Sequence, residues 1–364
     1  MLQLPRLMVR FIFVLLLVTP VLAKGQNYNC ITQLVCYRSC CPGTFCGPVQ
    51  EQICRNSCSG YPVSCDNPNG VDYEIWRPEV GTWYTLSRSG ATEVEPWGLD
   101  GDVPLNGSYG HLVDPTFDID QALHAVFRPT SGQWFVCYFS NGDGCSGVDN
   151  LPLEFGNSGD VPVFGDIEGD TLEDPTVWNQ TTGNWAYRRS SDLKVKRHQW
   201  GLPGDLPILG LYDSDAKADL VVWRNSTGEW YILRSSRKYY PSKAIVRQWG
   251  LPGDHPMAGD FDGDGFSDLV VWRPVNGNWY ICSSTTSYEC STGTTFQFGL
   301  PGDVPLNRDV DGDGIQDYVV WRPSSGTWFH RKSSTGVIQS QAWGLPGDLP
   351  TGIGIRDVVT YLGG

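Results

Sequence analysis

Gly250-Leu251-Pro252-Gly253-Asp254, then Asp260-Phe261-Asp262-Gly263-Asp264-Gly265-Phe266-Ser267-Asp268, then Leu269-Val270-Val271-Trp272-Arg273-Pro274 and Gly277-Asn278-Trp279-Tyr280 make up one stretch of the chain. The same order of motifs recurs along most of the sequence. The Gly-x-Trp tryptophans are Trp83, Trp134, Trp185, Trp230, Trp279 and Trp328, separated by 51, 51, 45, 49 and 49 residues. Seven residues before each stands the aromatic of a Trp-Arg-Pro slot: Trp76, Phe127, Trp178, Trp223, Trp272 and Trp321. A third slot, before Gly-Leu-Pro-Gly-Asp, holds Trp97, Phe155, Trp200, Trp249, Phe298 and Trp343. All 15 tryptophans fall in these three slots, so none is spare; core between units is the expected role, and a row of sugar-stacking platforms the alternative.

A repeat of this length is one supersecondary unit that must stack on its neighbours to bury its apolar faces. Asp268 to Arg273 and Asn278 to Ser283 are rich in β-branched and aromatic residues and are bounded by turn residues, which reads as two strands. A third strand leads into Gly-Leu-Pro-Gly-Asp, and a short one follows at Pro256 to Gly259. Leu269, Val270 and Val271 are apolar at consecutive positions, as expected when both faces of a sheet are covered. Four short strands per unit is the size of a propeller blade. The expected fold is therefore all-β, with the tryptophans as core between blades. Six complete units start near Gly60. Pro350 to Tyr361 repeats only the first two strands, with Asp357-Val358-Val359 in the strand slot. The count points to a propeller of about seven four-stranded blades, the last completed by the cysteine-rich segment that precedes the repeats. Six blades with an appended strand is the alternative.

Composition excludes several classes. With 43 Gly and 25 Pro in 364 residues a helical bundle is untenable, and 45 aromatic residues exclude a disordered chain. A net charge of −14 argues against nucleic acid as a partner. Residues 1–23 read as a secretory signal: Arg6 and Arg10, an apolar run from Phe11 to Val18, and a small-residue end at Val21-Leu22-Ala23. The run is too short to span a bilayer, and no membrane insertion is expected. The expected location is secreted and extracellular. Twelve cysteines agree with that destination. Eight lie between Cys30 and Cys65, in a small disulfide-rich domain over residues 24–66 that precedes the repeats at 67–364. This stretch has no histidine and no Cys-x-x-Cys pair, which argues against zinc. The other four, Cys137 with Cys145 and Cys282 with Cys290, sit at equal spacing in two units and are expected to be disulfides across a turn. Asn106, Asn179 and Asn225 each begin a glycosylation sequon.

Chemistry concentrates in the acidic loops. Asp260, Asp262, Asp264 and Asp268, and likewise Asp309, Asp311, Asp313 and Asp317, form Asp-x-Asp-Gly-Asp-Gly-x-x-Asp. Calcium takes about six to eight oxygens at roughly 2.3–2.6 Å, and alternating carboxylates around a tight turn can supply them. Phe266 and Ile315 can each add a main-chain carbonyl. The twelfth loop position is Val271 or Val320 instead of glutamate, which excludes an EF-hand. The third unit keeps Asp166, Glu168, Asp170 and Asp174 with Thr171 in place of glycine, so a weaker site is expected there. The fourth has Leu211 in place of the first acid, keeps Asp213, Asp215 and Asp219, has Lys217 nearby, and is not expected to bind. The second retains only scattered acids such as Asp118 and Asp120.

These loops, set among Gly-Asp and Leu-Val-Val-Trp-Arg-Pro, resemble FG-GAP/VCBS repeats, the calcium-binding propeller blades of integrin α-subunit heads and of many secreted bacterial proteins. The resemblance covers about Gly60 to Gly364 and is most specific at Asp260–Asp268 and Asp309–Asp317. It implies structural calcium on inter-strand loops at one rim of a propeller, and it leaves the partner open because one fold hosts many functions.

Arg77, Arg128, Arg224, Arg273 and Arg322 follow the aromatic of the Trp-Arg-Pro slot. Repetition in nearly every unit points to a structural ion pair, for example with Asp254 or Asp303. Anion or sugar binding at the rim is the competing reading. The five histidines share no slot, and no nucleophile elbow, P-loop or dinucleotide fingerprint occurs. No catalytic residue is assigned. The expected function is a calcium-binding recognition or adhesion module whose partner is an extracellular protein or glycan. A lectin or polysaccharide-active enzyme on the same scaffold is the alternative, and a purely structural matrix component a third.

Overall fold

The computed structural model describes residues 53–55, 62–64, 73–87, 90–107, 123–137, 145, 152–170, 172–352 and 358. The signal, the pairing of the cysteines from Cys30 to Cys65, Asp118, Asp120 and Thr171 lie outside these residues. Six four-stranded antiparallel sheets follow one another as the blades of a β-propeller. Blade 2 comprises Val103–Gly107, Leu123–Arg128, Gln133–Val136 and Leu153–Glu154; blade 3 comprises Asp160–Val163, Thr176–Asn179, Asn184–Arg188 and Val195–Gln199. Blade 4 comprises Asp205–Gly210, Asp219–Arg224, Glu229–Leu233 and Ile245–Gln248. Blade 5 comprises His255–Gly259, Asp268–Arg273, Asn278–Cys282 and Thr294–Gln297. Blade 6 comprises Val304–Arg308, Asp317–Arg322, Thr327–Arg331 and Ile338–Ala342. The first strands of blades 3 to 6 touch in succession, which places them innermost.

The expected seven blades are corrected to six. Blade 1 supplies only Tyr73–Arg77, Thr82–Leu86 and Thr92–Pro96 from its own stretch, and its innermost strand is Leu349–Pro350. Leu349 pairs with Trp76 and Pro350 with Ile75. The last partial repeat is therefore the missing first strand of the first blade. Strands from the two ends of the chain share this blade, which closes the ring. The described residues of the cysteine-rich segment do not complete a blade: Ile53–Arg55 and Pro62–Ser64 pair with each other in a separate two-stranded sheet. Val358, expected in a strand, is buried in the core.

The tryptophans hold the blades by a repeated device. In blade 5 the indole N–H groups of Trp272 and Trp279 both donate to the carbonyl of Phe298, at 3.2 and 2.8 Å. In blade 4 Trp223 and Trp230 converge on Trp249 in the same way. Tryptophans of the third slot donate forward to the next blade: Trp200 to Tyr231, Trp249 to Tyr280, and Trp343 across the ring junction to Tyr84. The 11 tryptophans of the first two slots are all fully buried. Each removes on the order of 200 Å² from water, about 5 kcal/mol at the usual area coefficient before entropy is charged.

The repeated arginines form ion pairs with the aspartates of Gly-Leu-Pro-Gly-Asp. Arg273 Nε and Nη2 donate to the two carboxylate oxygens of Asp254, each at 2.8 Å. Arg322 with Asp303, Arg224 with Asp205, Arg128 with Asp102 and Arg77 with Asp348 repeat the geometry. The guanidinium also lies over a ring of the third strand, for example Tyr280 at 4.2 Å from Arg273. Blade 3 substitutes Asn179, whose amide donates to Asp160 at 2.7 Å.

The turn between the second and third strands fits only glycine. In blade 5 Gly277 has φ +68°, and a Cβ there would lie 2.3 Å from the carbonyl oxygen of Gly299. Gly277→Ala is expected to cost at least about 2 kcal/mol, from the left-handed backbone and the clash together. Urea unfolding reads this directly, and an unchanged midpoint would show that the turn relaxes freely.

Candidate metal centres

In blades 3 to 6 the acidic loop joins the first strand to the second, and each loop is anchored by the connection after the third strand. In blade 5 the buried Asp268 carboxylate accepts from Phe261 N–H at 2.9 Å and Ser284 N–H at 2.7 Å. Asp260 accepts from Gly263 and Gly265 N–H at 2.6 and 2.7 Å, which folds the loop tightly. Asp262 accepts from the Thr285 hydroxyl at 2.7 Å, and Asp264 from the Ser284 hydroxyl at 2.8 Å. Blade 6 repeats the scheme. Asp309 takes Gly312 and Gly314 N–H, Asp317 takes Val310 and Ser333 N–H, and Asp311 takes the Ser334 hydroxyl. Asp313 holds Ile315 N–H at 2.9 Å and Asp264 holds Phe266 N–H at 2.8 Å, fixing the residues whose carbonyls the sequence singles out.

Among the described residues two loops bring carboxylates together. Asp260, Asp262 and Asp268 in blade 5, and Asp309, Asp311 and Asp317 in blade 6, each place three ligand oxygens within 4.8 Å of one another. Asp264 and Asp313 stand outside these triads, held by Ser284 and Ser333. Three like charges at this spacing repel strongly where water is scarce. Burial is the largest cause that pushes the Asp268 carboxyl up to about 7, with Asp262 adding to it against the bonds from Ser284 and Phe261. Asp317 rises to about 6, again chiefly by burial. Asp260 and Asp309 are raised in the same direction. A buried oxygen of Asp311 accepts no hydrogen bond. The donor set is all hard oxygen, which suits calcium and disfavours soft or nitrogen-seeking metals. The residues present therefore fit the ion that the repeat pattern implies.

The weaker copies keep the scaffold without the triad. In blade 3 Asp174 accepts from Ile167 and Ser190 N–H, and Asp170 from the Ser190 hydroxyl. Glu168 lies 3.4 Å from the guanidinium of Arg189, so a side-chain cation already faces that loop. Glu173, next to Asp174, is pushed up to about 8 by burial and by the charges of Asp166 and Asp174. In blade 4 Asp219 and Asp215 bond Ser235, and Asp213 bonds the Ser236 hydroxyl, although Leu211 stands where the first acid belongs. The serine hydrogen bonds of the loop thus persist where the first acid is lost.

Those serines escape a reading centred on carboxylates. Ser190-Ser191, Ser235-Ser236, Ser284-Thr285 and Ser333-Ser334 stand at one offset from the last acid of each loop, and that repetition is the signal that identifies them. Cys282 bonds Cys290, and Cys137 bonds Cys145, each spanning the connection after the third strand of its blade. Asn106 lies in the innermost strand of blade 2, Asn179 ends the second strand of blade 3, and Asn225 directly follows the second strand of blade 4. Asn225 accepts from Gly253 N–H at 2.9 Å. Among the described residues no helix is long and apolar enough to cross a membrane.

Residues 212–271 match the FG-GAP-like repeat model, from the acidic loop of blade 4 through that of blade 5. The chain carries an FG-GAP-like repeat. No curated protein sequence matches it. Among solved structures, a catalytically inactive virginiamycin B lyase from Staphylococcus aureus is 12% identical, with a TM-score of 0.48 over 83% of this chain and 91% of that one. A chain of a nidogen/laminin complex is 9% identical, with a TM-score of 0.47 over 78% and 97%. AztD from Citrobacter koseri is 12% identical, with a TM-score of 0.42 over 76% and 83%. At these identities and scores they speak to no ligand or reaction.

Proposed function

We propose that this is a secreted propeller that binds two structural calcium ions, in the loops of blades 5 and 6, and presents a rigid rim to an extracellular protein or glycan. The observations that carry the reading are one oxygen each of Asp309, Asp311 and Asp317 within 4.8 Å of one another, and a buried Asp311 oxygen that accepts no hydrogen bond. Such an oxygen is costly unless a cation completes it. Phe266 and Ile315 would add main-chain carbonyls, and water would fill the remaining positions of each ion. The ion's chemistry is charge neutralisation: it holds the first, second and last acids of a loop together, while Ser284, Thr285, Ser333 and Ser334 fix their orientation. The 11 fully buried tryptophans are committed to packing within the propeller and do not stand as stacking platforms for a ligand.

Calorimetric titration of the mature protein with calcium is expected to show two ions per chain, falling to one in Asp311→Asn/Asp313→Asn. Absence of calcium heat in the unaltered protein overturns the reading. Arrays of glycans and extracellular proteins, probed with and without chelator, would identify the class of partner.

A further inference from the structure

The acidic loops are tied to one another by the backbone. Ala218 N–H of blade 4 donates to the carbonyl of Asp166 in blade 3, at 2.7 Å. Ser267 N–H of blade 5 donates to Leu211 of blade 4 at 2.6 Å, and Gln316 N–H of blade 6 to Asp260 of blade 5 at 2.7 Å. In each case the donor directly precedes the last acid of its own loop, and the acceptor occupies the first-acid position of the loop before it. Between blades 5 and 6 both positions are intact. The bond therefore runs from a member of one carboxylate triad to the neighbour of a member of the other.

The contact is close and has little room to slip. A Cβ on Gly259 would meet Gln316 Cγ at 2.7 Å and Asn307 Oδ1 at 2.8 Å. Asn307 donates its amide to the carbonyl of Ala258 at 2.6 Å, a second tie between the two innermost strands. An ion that fixes Asp260 also fixes the carbonyl that receives Gln316, and so restrains Asp317. The reverse holds for an ion at Asp317.

We propose that the two sites bind calcium with positive cooperativity through the bond from Gln316 N–H to the Asp260 carbonyl, an inference that rests on the calcium reading above. The first ion orders the shared bond, and the second meets a loop already ordered, so its entropic cost is smaller. Coupling is reciprocal, so loss of either site weakens the other by the same factor. Simple electrostatics predicts the opposite sign, since one bound ion reduces the negative field that attracts the next. That term is screened over roughly 8 Å at physiological salt, whereas the backbone tie is not.

The test is calcium calorimetry on the full mature chain at low and physiological salt. Asp311→Asn/Asp313→Asn removes uptake in blade 6 and leaves Gln316 and Asp317 in place. Affinity at blade 5 should then fall about fivefold or more, the lower end of ordinary coupling, and the loss should persist at the higher salt. Asp262→Asn/Asp264→Asn should weaken blade 6 by the same factor. Gln316→Pro deletes the donor, and Gly259→Ala wedges the blades apart should the proline variant fail to fold. Either should keep two ions and abolish the coupling. Two ions whose affinities ignore each other in the single-site variants would overturn the coupling and leave the calcium reading standing. No calcium heat in the unaltered chain would overturn both.

Discussion

Metal-free protein is expected to melt about 5–10 °C below the calcium-saturated form at pH 8, and the gap should narrow sharply at pH 5. Each site filled at about a hundred times its dissociation constant adds about 2.7 kcal/mol by mass action. Two sites add about 5 kcal/mol, and an unfolding entropy of roughly 2.1 cal/mol/K per residue over about 300 residues makes the shift about 1–2 °C per kcal/mol. The pH trend follows from the raised carboxyls. Asp268 and Asp317 ordinarily titrate near 3.8 and rise to about 7 and about 6 in the folded chain without a cation. A raised folded value means stability that is fully present below 3.8 and lost as pH climbs through 6 and 7. Metal-free protein should therefore be more stable at pH 5 than at pH 8. Calcium binding needs the ionised acids, so its benefit grows over the same interval, with protons released on binding. Scanning calorimetry at the two pH values, with and without calcium, tests this. Coincident melts in calcium and in metal-free buffer would count against ions in these loops.

Arg273→Ala, in calcium-saturated buffer, is expected to destabilise the protein by about 3–5 kcal/mol. The Asp254 side chain is 2% exposed, and removing its bidentate partner strands a buried charge. The stacking of the guanidinium on Tyr280 is lost as well. Asp254→Ala alone leaves Arg273 at 19% side-chain exposure, where water can reach part of the group, so the loss should be smaller. In the double variant neither charge is stranded, and its cost should fall well short of the sum of the singles. An additive double variant in urea unfolding would show that the two groups act independently.

Much of this was legible in the chain. The three aromatic slots announced a repeated sheet, and consecutive Leu269, Val270 and Val271 announced that both of its faces are covered. The ion pairs of Arg273 and Arg322 could be guessed because a residue repeated in nearly every unit serves the unit. Blade number was the failure. Pro350 reads locally as the start of another repeat, and only its pairing with Ile75, more than 270 residues away in the chain, shows that it finishes the first blade. In the acidic loops the spacing offered four acids per ion, whereas the folded loops gather three and bind Asp264 and Asp313 to serines.

What the residues determined unaided is the local unit: strand length, turn chemistry, the apolar slots and the placing of oxygen donors on one loop, all of which depend on neighbours within some twenty positions. What tertiary structure decided is closure and convergence. Whether six or seven units make the ring depends on the angle between packed blades, and whether carboxylates meet depends on which hydroxyls and amides reach them from the next connection or the next blade. These are distances between segments remote in the chain, set by the packing of whole sheets, and no single repeat encodes them.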